Sequence, residues 1–297
     1  MTDLRAYLAE KREIVNGALE VLFPDPQGPA SEVIRSMTYS VFAGGKRLRP
    51  ILCMAGAETV GGEGRRVLPA ACALELIHTY SLIHDDLPAM DDDALRRGKP
   101  TNHKIFGEAI ALLAGDGLLT EAFRVLAGMS IPESTSSTVL PRVIRWIAEA
   151  AGYGGMIGGQ VADVQSEGSP PDAELVRFIH EHKTADLITV ATVSGALLCG
   201  AEEEAIRALS NYGRGIGLAF QISDDILNIE GDRQTLGKDV GSDEQRGKQT
   251  WPAVFGLEES KRVQQNLVLD AVESLKPFDH RADPLREIAK YIIERRK

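Results

Sequence analysis

The chain is poor in aromatic residues, 5% of its 297, and has only three cysteines, Cys53, Cys72 and Cys199. An odd, scattered set of cysteines inside apolar segments fits reduced thiols better than a disulfide framework, so the sequence leads one to expect a cytoplasmic protein. Basic residues are in the minority, 33 Lys and Arg against 43 Asp and Glu, for a formal net charge of -10. That balance argues against a general nucleic-acid partner, because a binder of the phosphate backbone normally carries a basic excess. No early segment reads as a signal peptide: Asp3, Arg5, Glu10, Lys11, Arg12 and Glu13 interrupt the first 22 residues. The longest apolar stretch, Leu187 to Ala201, is too short to span a bilayer and is broken by Thr, Ser and Gly. "GGKRLRP" lacks the spacing of a Walker A loop, which excludes P-loop nucleotide hydrolysis. Strand-like alternation with hairpin turns, repeats and low-complexity tracts are also missing.

What remains is helical almost throughout. Leu4, Leu8, Ile14, Val15, Leu19 and Leu22 keep helical spacing until "PDPQGP" stops them. Further helices are expected near 31–43, 49–60, 67–86, 104–129, 137–150, 172–199, 201–230, 250–275 and 284–296. Breaks fall at "GGEGRR", "IPESTSS", "EGSPP" and "KPFDHRAD". The fold class is therefore all-α, and length alone leaves one or two domains open.

"HDDLPAMDDD", residues 84–93, crowds five aspartates into ten positions after the apolar helix "ACALELIHTYSLIH". An isolated acidic cluster is usually a solvated surface or a helix end. Aspartates closing a buried helix repel one another and raise each other's pKa unless cations neutralise them, and oxygen-rich clusters favour hard ions such as Mg2+. Pro88 disturbs the helix, so periodicity does not say which of Asp91, Asp92 and Asp93 shares a face with Asp85. A second pair lies in "FQISDDILN", where Gln221, Asp224 and Asn228 share a helix face. Two such pairs converging across a bundle would make one polynuclear metal site.

Mg2+ held by few carboxylates usually shares its coordination with substrate phosphates. Candidate phosphate ligands stand at turns: Lys46, Arg47 and Arg49; Arg96 and Arg97; Lys183; Lys238 and Lys248. Each alone reads as surface solvation, but their placement beside both acidic motifs favours the phosphate reading.

Taken together, "GGKRLRP", "HDDLPAMDDDALRRGKPTNHKIFGEA", "GGQVAD", "HKTADLI", "FQISDDILN" and "LGKDVGSDEQRGKQTWP" resemble, in order and spacing, the trans-prenyl diphosphate synthases, most closely those of the bacterial farnesyl type. The resemblance covers essentially the whole chain. It implies one all-α domain over 1–297, the isoprenoid synthase fold with long helices around a deep central cavity, and a homodimer. By the same resemblance Asp85, Asp91 and Asp224 would ligate Mg2+, three ions with an allylic diphosphate bound. Arg96, Lys183 and Lys238 would complete that diphosphate's shell. Lys46, Arg49, His78 and Arg97 would hold isopentenyl diphosphate, and Thr184 and Gln221 would stabilise an allylic cation.

The implied reaction condenses isopentenyl diphosphate with dimethylallyl or geranyl diphosphate by ionisation, condensation and elimination. Tyr80, five residues before the first motif, would be the floor that limits the product to the fifteen carbons of farnesyl diphosphate. Ser81 lies nearer to directly beneath Asp85 on a helical wheel. A twenty-carbon geranylgeranyl product is the alternative, and a non-catalytic subunit of a heteromeric synthase is a further one. Asn228 stands where the family commonly has a third aspartate, with Asp232 one turn further on, which leads us to expect weaker Mg2+ binding on that side. "DDILN" does not match the second metal motif of a class I terpene cyclase. Nor does any histidine well upstream of His84-Asp85 complete an HD-type phosphohydrolase site.

Overall fold

The computed structural model describes residues 3–131, 135–230 and 247–294. Fourteen α-helices are found in these segments: α1 (Leu4–Leu22), α2 (Ser31–Val41), α3 (Leu48–Thr59), α4 (Leu68–Asp85), α5 (Asn102–Phe106), α6 (Glu108–Ala127), α7 (Val139–Ala151), α8 (Met156–Gln165), α9 (Ala173–Ile179), α10 (Asp186–Leu198), α11 (Glu203–Glu230), α12 (Trp251–Phe255), α13 (Leu257–Ser274) and α14 (Asp283–Glu294). The all-α class is what the sequence predicts. One small departure is a two-residue antiparallel hairpin, Leu95–Arg96 against Lys99–Pro100, too short to leave an alternating pattern.

Two other departures are due to glycine. The helices expected over 104–129 and 250–275 are each split where Gly107 and Gly256 take φ near +81°, a backbone that L side chains avoid. Helix α8 was not expected at all, because "GGMIGGQVADVQ" is rich in glycine, the weakest helix former after proline. It forms because its glycines allow close packing: a Cβ on Gly159 would run into the main chain of Lys183.

Helices α3, α4 and α10 are buried along most of their length and form the centre of the main core, which draws residues from Val15 in α1 to Ile292 in α14. Gly56 of α3 faces the main chain of Thr192, and Gly195 of α10 faces that of Cys53, so these two helices pack backbone to backbone. The stretch Gly64–Asp85 is long and apolar enough to cross a membrane by length and composition, and most of it is inside the protein. Arg47, a phosphate candidate by sequence, turns inward instead. It donates to Glu75 (2.6 Å), to Asn16 (2.9 Å) and to the Val41 carbonyl (2.6 Å), a satisfied buried ion pair that ties α1, α2 and α4 together.

Candidate active site

Helix α4 ends at Asp85 because Pro88 cannot continue it. The inserted Pro-Ala folds the chain back: Met90 N–H donates to the Leu87 carbonyl (2.9 Å), Asp92 takes φ +47°, and Asp91 N–H donates to the Asp85 carbonyl (2.8 Å). This turn brings Asp91 to Asp85. Burial raises the Asp85 pKa, Lys183 opposes that rise, and Asp91 adds to it. A carboxylate held in this way favours an added cation. Asp86 points the other way and is 3% exposed. It accepts from Arg96 Nε at 2.7 and 2.9 Å, and Arg96 also lies 3.5 Å from Asp93. Burial alone would lower the Arg96 pKa, and the bonds and charge of Asp86 raise it overall. Arg96, expected against the diphosphate, is thus clamped within the first motif.

The second pair divides in the same way, inside α11 rather than at its end. Asp224 is half-buried and close enough to Arg49 for its charge to oppose the burial that lowers the guanidinium's pKa. Asp225 is 4% exposed, accepts from Trp251 N–H (2.8 Å) and Gln221 Nε2 (3.2 Å), and lies 3.1 Å from His180 Nε2. Gln221 in turn accepts from Thr184 Oγ1 (2.8 Å), which fixes the orientation of its amide.

Thr184 and Lys183 sit on one π-helical turn, His180–Ala185, between α9 and α10. Such a turn re-aims side chains and is common at functional sites. Here His180 reaches Asp225, Thr184 reaches Gln221, and Lys183 reaches Asp163 of α8 at 2.6 Å. Asp163, one turn after Gly159 and 4% exposed, was missed as a site residue. The signal was present in "GGQVAD": the glycine that admits Lys183 lies four residues before the carboxylate that receives it. Lys248 lies 2.8 Å from Asp91 and 3.5 Å from Asp163.

The two acidic motifs therefore do not merge into one ready cluster. Among the described residues no three of His, Cys, Asp and Glu form a metal-ligand group. The physical reason is repulsion: lysines are interleaved with the carboxylates and neutralise them. The donor set still fits Mg2+, a hard ion that takes one or two carboxylates and fills its remaining positions with water and substrate oxygens.

The remaining cations gather around His78. Burial, then Arg49, Arg97, Arg96 and Arg47, push its pKa well down, so the imidazole is neutral. Burial lowers Arg49 to about 10, and its Nε has no partner among the described residues. A buried guanidinium of this kind fits an anionic ligand. Arg97, with φ +54°, donates to the Gly44 carbonyl, and Lys46 is exposed on the same loop. Beneath the first motif Tyr80 is 5% exposed, packs edge-on against His84 with ring centroids 5.7 Å apart, and leaves its hydroxyl without a partner among the described residues. Ser81 donates to the His78 carbonyl (2.9 Å). Lys238, and Asp232, lie outside the described residues.

Residues 31–291 match the family model described as polyprenyl synthetase. The chain belongs to the polyprenyl synthetase family. It is 47% identical over 294 residues to a dimethylallyltranstransferase of Fischerella ambigua, covering 99% of this chain and 84% of that one. It is 46% identical to a geranylgeranyl diphosphate synthase of Cyanophora paradoxa, covering 99% and 97%. Among solved structures, a Helicobacter pylori geranyltransferase complexed with magnesium and isoprenyl diphosphate superposes with a TM-score of 0.84 at 29% identity, covering 99% of this chain and 97% of that one. As a polyprenyl synthetase, this all-α chain has the isoprenoid synthase fold and is a trans-prenyltransferase.

Proposed function

We propose that this trans-prenyltransferase condenses isopentenyl diphosphate with dimethylallyl and then geranyl diphosphate, in the presence of Mg2+, to give farnesyl diphosphate. The observation that carries the reading is half-buried Asp85 and Asp91 beside two lysines, Lys248 at 2.8 Å from Asp91 and Lys183, whose charge acts on Asp85, at 2.6 Å from Asp163. Mg2+ held by Asp85, Asp91 and Asp224 would supply positive charge against a leaving diphosphate.

Lys183 and Lys248 exchange their carboxylate partners for diphosphate oxygens as substrate enters, and Lys238 would complete that shell, whereas Arg96 stays clamped to Asp86. The allylic C–O bond breaks and its electron pair leaves with the diphosphate. The oriented Gln221 and Thr184 oxygens face the resulting cation with their dipoles and do not capture it. Arg49, Arg97, Lys46 and neutral His78 hold isopentenyl diphosphate so that its double bond attacks the cation, forming the new C–C bond. A proton then passes to the departing diphosphate, and no side-chain base is required. Water would quench the cation, so the reaction needs a dry pocket, for which the apolar helices α4 and α10 supply side chains.

Buried Tyr80 beneath the first motif supports a fifteen-carbon product. The name of the Cyanophora paradoxa relative supports a second reading, a twenty-carbon product. Exposed Leu112 and Leu113 on α6 and Ile157, Val161 and Val164 on α8 support a homodimer. We further propose that the chain acts as one cytoplasmic unit. Product analysis with isopentenyl and dimethylallyl diphosphates, with and without Mg2+, tests the reading. A Mg2+-dependent fifteen-carbon diphosphate is expected. A twenty-carbon product keeps the chemistry and discards Tyr80 as floor, and absence of condensation overturns the proposal.

A further inference from the structure

Gly247, Gln249 and Trp251 are each tied to another part of the chain. The Gly247 carbonyl accepts from Gly168 N–H at 3.0 Å. Gln249, 4% exposed, is saturated by the loop before α9: its Oε1 accepts from Asp172 N–H (3.0 Å), and its Nε2 donates to the Ser169 and Pro170 carbonyls (both 3.2 Å). Trp251 donates its N–H to Asp225, and its ring stacks on His180 with centroids 5.6 Å apart.

Lys248 is the immediate neighbour of Gln249, so the three bonds that fix the Gln249 side chain also fix the main chain from which Lys248 reaches Asp91 (2.8 Å) and Asp163 (3.5 Å).

We infer that Gln249 is a positioning residue for allylic diphosphate binding: its three hydrogen bonds to the 169–172 loop aim the Lys248 ammonium at the site. The inference rests on the diphosphate role proposed for Lys248. Holding a long, flexible lysine in place before substrate arrives removes an ordering cost from binding, so the effect belongs in substrate affinity rather than in the chemical step.

The test is a double-mutant cycle on the full chain, read as KM for dimethylallyl diphosphate, KM for isopentenyl diphosphate, kcat and thermal midpoint. Gln249→Leu, which keeps bulk and removes all three bonds, is expected to raise KM for dimethylallyl diphosphate about tenfold and to leave KM for isopentenyl diphosphate unchanged. Gln249→Glu keeps the acceptor for Asp172 and loses both donors; it is expected to move the same constant in the same direction and serves if the leucine variant does not fold. In a Lys248→Met background, either substitution is expected to add less than about twofold, because the residue being aimed is gone. Equal effects in both backgrounds, or no effect on KM in the native background, overturn the inference and leave the diphosphate role of Lys248 standing. A Lys248→Met enzyme with unchanged KM for dimethylallyl diphosphate overturns that role and the inference with it.

Discussion

The two acidic motifs solve one problem in different settings. In the first, the chain leaves a helix, and Pro88 with a left-handed Asp92 folds Asp91 back onto Asp85. In the second, the pair lies within α11, and a distant segment, the π-helical turn with Trp251, comes to it. Yet each pair divides its labour. Asp86 and Asp225 are buried and bound to Arg96 and to His180 with Trp251, whereas Asp85 and Asp224 are half-buried among lysines and arginines. Adjacent identical residues thus have opposite surroundings, one bonded within the fold and one half-buried among cationic groups.

The sharpest way to break this comparison is to remove each charge in turn. Asp85→Asn and Asp224→Asn are expected to lower kcat by about a thousandfold or more, with the thermal midpoint nearly unchanged, in steady-state assays beside a melting curve. Asp86→Asn leaves Arg96 short of a buried counter-charge and is expected to cost about 3 kcal/mol in a urea titration, as is Asp225→Asn. If the inner pair lost only activity, or the outer pair only stability, the division would be wrong.

Smaller effects sharpen it. Tyr80→Ala is expected to lengthen the main product by one five-carbon unit, read by chromatography of the dephosphorylated products. The neutral His78 gives a pH signature. Unfolded His78 gains a proton near pH 6.5 that the folded site refuses, so folded stability declines as pH falls below about 6.5. His78→Gln is expected to flatten that decline in unfolding measured across the acid range. Least of all, Asn228→Asp is expected to lower the Mg2+ concentration for half-maximal rate by only a few-fold, because it adds one charge beside carboxylates already present.

Much of this was legible in the sequence. Aspartate pairs following apolar helical stretches announced both motifs, although the second pair lies within α11 rather than at its end. What could not be read was which member of each pair faces inward, since that depends on partners 10 residues away for Asp86 and 26 away for Asp225. Helix α8 and its Asp163 were hidden because glycine signals a break locally, while here it permits close packing against Lys183. Arg47 and Arg49, two residues apart in one basic run, were equal candidates; only a left-handed turn at Arg47 sends one to Glu75 and leaves the other near Asp224.

In the proposed site, Lys183 and Lys248 neutralise the carboxylates until a substrate diphosphate brings Mg2+ among them. This is tested most directly by titrating Mg2+ into the protein calorimetrically, alone and with a non-ionising thiolo analogue of dimethylallyl diphosphate. The account predicts tight Mg2+ binding only with the analogue present, lost in Asp85→Asn. Equally tight binding of Mg2+ to the protein alone would contradict it.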